Sequence, residues 1–275
     1  VFVDVDPFTF NIDPEKIEEA ITSNTKCIIP VHLYGQGADM ASIMSIAERH
    51  NLYVIEDNAQ SLGAQINLKG ENRKLGSIGH ISTTSFYPSK VLGAYGDAGA
   101  IFTNDEKLAK RLKMICDHGQ SVKYKSEILG INSRMDSLQA VVLQVKLKYF
   151  PEALAARKLI AASYDKAFVD ISELTIPTRV GYGDHVFHQY TLLCNNINRD
   201  EFKNALKEDG ISSLIYYPIP LHLQPVFQNH GFKEGDFPNS ERLSKQSLSL
   251  PIHTELDASK LDYIINSTRK NIKKL

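Results

Sequence analysis

Apolar positions in the first half of the chain switch repeatedly between a period of two and a period near 3.6, and each switch marks a boundary between strand and helix. Val1-Phe2-Val3-Asp4-Val5 is β-branched and aromatic and predicts a strand. Asp13-Pro14 then opens a helix, because aspartate caps free backbone amides and proline suits the first turn; Ile17, Ala20 and Ile21 share its face. Lys26–Val31 predicts a second buried strand, Asp39 opens a helix carrying Ile43, Ile46 and Ala47, and Leu52-Tyr53-Val54-Ile55 predicts a third strand. Ile81–Phe86 and Ala98–Thr103 predict two more, followed by a helix from Asp105 to Ile115. Such alternation implies a largely parallel sheet with helices on its faces.

The pattern then lengthens. Leu138, Val141, Val142 and Val145 predict one amphipathic helix from Ser133 to Tyr149, stopped by Pro151, and a second helix runs from Glu152 to Phe168. Beyond these bridging helices the chain changes character. A strand at His188–Cys194, a helix at Arg199–Glu208, a proline-rich aromatic segment from Tyr216 to Phe227 and a last helix after Asp257 predict a smaller α+β domain. The division is therefore a large domain over 1–150 and a bridging helix with a small C-terminal domain over 151–275. Because Val1 already lies inside a predicted strand, the large domain is expected to be incomplete at its N-terminus.

Composition adds exclusions. The net charge is −1, from 31 basic and 32 acidic residues without long blocks, so no nucleic-acid or membrane-surface partner held by bulk charge is expected. Cys27, Cys116 and Cys194 lack metal-ligand or disulfide spacing, and no apolar run is long enough to span a bilayer, which predicts a cytoplasmic setting and no metal.

The candidate chemistry centres on Lys90, which closes Ser85-Phe86-Tyr87-Pro88-Ser89-Lys90 downstream of Glu56-Asp57. A lysine amine can form a Schiff base with the aldehyde of pyridoxal phosphate (PLP), and a carboxylate beside the pyridine nitrogen keeps the ring electron-withdrawing. Gly93, Gly96 and Gly99 follow at G-x-x-G-x-x-G spacing into a strand, which is not the dinucleotide fingerprint G-x-G-x-x-G. They are expected to supply permissive backbone angles around the lysine.

Four ordered motifs carry a resemblance: Pro30-Val31-His32-Leu33-Tyr34-Gly35-Gln36, Glu56-Asp57-Asn58-Ala59-Gln60-Ser61-Leu62-Gly63-Ala64, Ser85 to Lys90, and Gly130-Ile131-Asn132-Ser133-Arg134-Met135-Asp136. With them the chain resembles the DegT/DnrJ/EryC1/StrS sugar aminotransferases nearly end to end. The resemblance implies an aspartate aminotransferase-like α/β architecture (PLP fold type I) and makes Lys90 the Schiff-base lysine and proton carrier. It implies that Asp57 pairs with the pyridinium nitrogen, Gln60 lies against the ring, and Ser85 bonds the phosphate. Asn132 is expected to reach the phosphate of a neighbouring subunit's cofactor, giving a homodimer with shared active sites. His32, Tyr34, His185, Tyr217 and His222, with His253 beside them, are expected near substrate.

The branch it looks most like acts on dTDP-3-keto-6-deoxyhexoses, with L-glutamate as amino donor and ping-pong kinetics. A 4-keto-sugar aminotransferase and a non-catalytic PLP-fold protein are the alternatives. The deoxygenase branch of the fold carries histidine at the lysine position, so Lys90 argues against it.

Overall fold

The computed structural model describes residues 1–275. Its first helix, α1 (Pro14–Ala20), starts as the sequence requires: the Asp13 carboxylate accepts from the Glu15 amide and Pro14 occupies the first turn. Strand β1 (Cys27–Ile28), helix α2 (Met40–Arg49) and strand β2 (Tyr53–Asp57) follow, then the hairpin β3 (Gln65–Leu68) and β4 (Glu71–Lys74). Strands β5 (Ile81–Ser85) and β6 (Gly99–Phe102) complete the first sheet, in the order β1-β2-β5-β6. Its inner pairings are parallel and only β6 runs antiparallel, so Asp57 and Ser85 lie at C-terminal ends of neighbouring parallel strands. That is the edge at which open α/β sheets bind ligands.

Helix α3 (Glu106–Cys116), the short ribbon β7 (Gln120–Val122) and β8 (Lys125–Ser126), and helices α4 (Ser137–Leu147) and α5 (Phe150–Phe168) lead into the second half. There β9 (Leu174–Thr175), β10 (Tyr190–Cys194), α6 (Arg199–Glu208), α7 (Pro238–Gln246), β11 (Ser247–Leu250) and α8 (Ala258–Ile272) build an antiparallel sheet ordered β11-β10-β9. One core, including Ile43, Val54 and Ile66, underlies the first sheet; a separate core, including Tyr164, Tyr190, Phe202 and Leu248, fills the second half. No helix is long and apolar enough to cross a membrane.

Several expectations are corrected. The Val1–Val5 strand does not form; only Val5 bridges Ile12. The segment lies against α7 instead of a strand, with the Asp4 carboxylate accepting from the amides of Asn239 and Ser240 in that helix's first turn. A carboxylate suits such amides, whereas a strand needs a paired edge. The Lys26–Val31 strand shrinks to two residues: Ile29 is exposed, and Pro30 has no amide for a ladder.

The β3–β4 hairpin was not foreseen, because its two-residue turn is Lys69-Gly70, both with positive φ, rather than a stronger Asn-Gly signal. Helix α4 starts four residues late. Asn132 bridges Asp117 and the Ser133 amide donates to the Cys116 carbonyl, which hold the chain extended. Its apolar stripe faces outward, with Leu138, Val141 and Val145 exposed and Leu143 buried. The two helices meet just ahead of Pro151, which fills the first turn of α5, so that helix starts at Phe150, two residues before the expected Glu152.

Candidate active site

The segment after β5 folds back sharply. The Lys90 amide donates to the Tyr87 carbonyl at 2.8 Å, the Ala94 amide to Phe86 at 2.7 Å, and the Tyr87 amide to the Ser85 hydroxyl at 3.2 Å. Gly93, Gly96 and Gly99 have no positive φ, which corrects the expectation of permissive angles. Gly93 is needed for space: a Cβ there would lie 2.4 Å from the Pro88 carbonyl oxygen. The glycine lets the chain close over the turn that presents Lys90.

Lys90 is half-buried, and burial lowers the pKa of its amine while the Asp57 carboxylate opposes that fall. The two groups therefore feel each other across the ends of the sheet. Asp57 is itself fixed, because one of its carboxylate oxygens accepts from the Ala59 amide at 3.0 Å. A cavity of about 360 Å³ opens beside Lys90, and Gln60, Ser85, Tyr217 and His188 line it. Gln60 is locked from both ends: its oxygen accepts from the Tyr34 amide at 2.7 Å and its amide donates to the Tyr217 hydroxyl at 3.2 Å. A second cavity of about 520 Å³ shares Lys90 and His188 and extends past Lys146 to His253.

Four sequence-predicted residues, Gln60, Ser85, Lys90 and Tyr217, thus line one cavity, with Asp57 acting on it electrostatically. Others do not. His32 is wholly buried against Glu56, and Tyr34 is buried with its hydroxyl donating to the Tyr216 carbonyl. Burial raises the Tyr34 hydroxyl's pKa, so it stays protonated. His185 stacks on Phe187 at 4.0 Å, its Nδ1 accepts from the Phe187 amide, and burial pushes its pKa down to about 3. His222 is buried, hydrogen-bonded to the Glu241 carboxylate at 3.0 Å, and packs on Phe237. These four rings are engaged in packing and local hydrogen bonds, and none of them lines either cavity beside Lys90. Asn132 is exposed, accepts from the Arg134 side chain, and lines neither cavity of its own chain.

His188 was not singled out from the sequence. It is buried just before β10, lines both cavities, and its Nδ1 has no hydrogen-bond partner. Burial, then the charges of Lys90 and Arg157, push its pKa down to about 3, so the ring is neutral. The spacing His185-Val186-Phe187-His188 was the one available signal, and it does not say which ring reaches the cleft. The fold decides: His185 stacks on Phe187, and His188 lines the cleft beside Lys90.

This donor set fits PLP. It offers a desolvated amine for the aldehyde, a carboxylate within electrostatic reach for the ring nitrogen, and a hydroxyl, Ser85, for the phosphate. The DegT/DnrJ/EryC1/StrS aminotransferase family model matches residues 1–269. A pleiotropic regulatory protein of Geobacillus stearothermophilus is 48% identical over 267 residues, covering 96% of this chain and 70% of that protein. The dTDP-3-amino-3,6-dideoxy-alpha-D-galactopyranose transaminase of Aneurinibacillus thermoaerophilus is 41% identical over 270 residues, covering 98% of this chain and 72% of that enzyme. Among solved structures, DesV of S. venezuelae superposes with a TM-score of 0.95 at 36% identity, covering 100% of this chain and 72% of that one. Other solved neighbours carry the PLP or PMP form of the cofactor. With its Lys90 turn, carboxylate and sheet topology, the chain belongs to the DegT/DnrJ/EryC1/StrS family of PLP-dependent aminotransferases.

Proposed function

We propose that the protein transfers the amino group of L-glutamate to a nucleotide-linked keto-6-deoxy sugar, a dTDP-3-keto-6-deoxyhexose, to give an amino sugar for a surface polysaccharide or a glycosylated product. The observation that carries this reading is the half-buried Lys90 amine, which feels the Asp57 carboxylate and lines a cavity together with Gln60, Ser85 and Tyr217. Bound PLP supplies the electron sink that the amino-group exchange needs. In this reading Asp57 holds the proton on the ring nitrogen, Ser85 holds the phosphate, and Gln60 braces the ring. Lys90 Nζ, with its pKa lowered by burial, takes the proton from the donor's α-carbon and later returns one to the sugar carbon. His188 contributes an uncharged wall beside that amine, so its own protonation does not compete near neutral pH.

The 3-keto choice is supported by the transaminase relative of Aneurinibacillus thermoaerophilus, whose name carries a dTDP-3-amino sugar. A 4-keto sugar is the alternative, and a regulatory role is the other, favoured by the name of the Geobacillus relative. We read 1–150 as the PLP-binding domain and 151–275 as the bridging helix and small domain, supported by a main core in each, with Val186 of the second packing into the first. The setting we propose is the cytoplasm, supported by three unpaired cysteines. A homodimer that shares its active sites is supported by the exposed apolar stripe of α4 and by exposed Leu129 and Ile131 just before Asn132.

The test is isotope transfer. With ¹⁵N-glutamate and matched dTDP-3-keto and dTDP-4-keto sugars, the label should appear in the 3-amino product. Label in the 4-amino product would move the regiochemistry, and none in any sugar would favour the regulatory reading.

A further inference from the structure

Successive residues of a strand point to opposite faces, so Glu56 and Asp57 at the end of β2 serve different sides of the sheet. Asp57 acts on the lysine. Glu56 is wholly buried behind the strand, and four donors converge on its carboxylate. One oxygen accepts from the Gly76 amide at 2.7 Å and from His32 Nε2 at 3.0 Å. The other accepts from the amides of Ile78 at 2.8 Å and Gly79 at 2.6 Å. His32 Nδ1 accepts from the Ala38 amide at 3.2 Å, so the ring is the neutral tautomer that donates from Nε2. Burial opposes ionisation of Glu56, but the His32 hydrogen bond and the Gly79 and Gly76 amides outweigh it and keep its pKa below the usual value.

From this hub two chains of hydrogen bonds reach the cleft. The His32 amide donates to the Asp57 carbonyl at 3.0 Å, and the Ser61 hydroxyl donates to the His32 carbonyl at 2.7 Å. Two residues on, the Tyr34 amide donates to the Gln60 side chain, which in turn donates to Tyr217. The turn over 76–79 has no slack, since a Cβ on Gly76 would lie 2.8 Å from the side chains of Asn58 and Ser82. We infer that Glu56 is a positioning residue for the transamination site: through His32 and the 76–79 turn it fixes Asp57 and Gln60 against the cofactor ring.

The need is for a carboxylate and not merely a polar side chain. An amide at position 56 would turn an NH₂ group against two of the four donors, leaving buried donors unpaired. The inference rests on the PLP reading of Lys90 and Asp57, and its test separates the two.

The experiment titrates PLP into the purified protein and into Glu56→Gln, His32→Leu, His32→Gln, Asp57→Ala and Lys90→Ala. It follows PLP affinity by absorbance, the ¹⁵N shift of the ring nitrogen of labelled PLP, and the melting temperature. Glu56→Gln should weaken PLP about tenfold, as loss of an orienting partner does elsewhere, and move the ring-nitrogen signal toward that of Asp57→Ala. His32→Leu should behave likewise. His32→Gln, whose amide can still donate to Glu56, should restore most of the affinity. The inference is overturned if Glu56→Gln lowers the melting temperature but leaves affinity and ring-nitrogen signal at wild-type values. Should Glu56→Gln not fold, the two His32 variants decide between the same outcomes: equal affinity and ring signal in Leu and Gln variants would overturn the inference, and rescue by Gln alone would support it. If instead wild type lacks a visible band that Lys90→Ala removes, or Asp57→Ala leaves the ring signal unchanged, the PLP reading fails and not the hub.

Discussion

The C-terminal half and the α4 face make opposite use of similar apolar periodicity. In the C-terminal half α5, α6 and α8 turn their stripes inward, and Tyr164, Phe168, Phe202 and Leu206 are fully buried in one core. Helix α4 carries as regular a stripe, yet Leu138 is 71% exposed and Val141 55%. The first pattern is satisfied within the chain and the second is left for something outside it. Asn132 is exposed a few residues ahead of that helix, in keeping with the proposed site completed between two copies.

The closed core should show the largest effect. Phe202→Ala removes a fully buried ring and should cost about 3–5 kcal/mol, read as a shifted denaturation midpoint. A cost below about 1 kcal/mol would mean that the C-terminal core is looser than its packing implies.

Acid should weaken the seam between the halves next. His185 and His188 are buried with pKa values pushed down to about 3, from a reference of 6.5. Between those values the unfolded chain binds protons that the folded chain refuses. Their contribution is therefore whole above about pH 6.5 and is lost as the pH falls toward 3, at about 2 kcal/mol per ring by pH 5. Melting curves at pH 7 and pH 5 should differ accordingly, and His185→Gln with His188→Gln should flatten the difference.

On the open face, Val141→Glu should leave the monomer's melting curve nearly unchanged while weakening self-association about tenfold or more, read by sedimentation. Leu138→Ala should change monomer stability by less than about 0.5 kcal/mol. A large loss from it would show that the α4 stripe is packed within one chain after all.

Much of the first sheet was legible because its signals are local. Asp13 and Asp105 cap their helices as read, and β5 and β6 fall where β-branched residues predicted them. The misses came from partners distant in sequence: Val1–Val5 reads as a strand but meets α7, and α4 starts late because residue 132 pairs with residue 117. At the site, Gln60, Ser85 and Lys90 lie in short runs around one sheet edge, and the family resemblance of those runs, more than their pattern, is what singled them out. Histidines were not legible in the same way. His32, His185 and His222 satisfy buried neighbours, whereas His188 reaches the cleft, and only the three-dimensional packing separates them.

The central claim is that Lys90 carries the cofactor and that glutamate discharges its amino group there. The visible absorbance of the protein with PLP, before and after L-glutamate and with no sugar present, tests it most directly. The protein should show a visible band that borohydride fixes on the chain, that glutamate bleaches, and that Lys90→Ala lacks. A band that survives in Lys90→Ala, or one that glutamate leaves untouched, would contradict it.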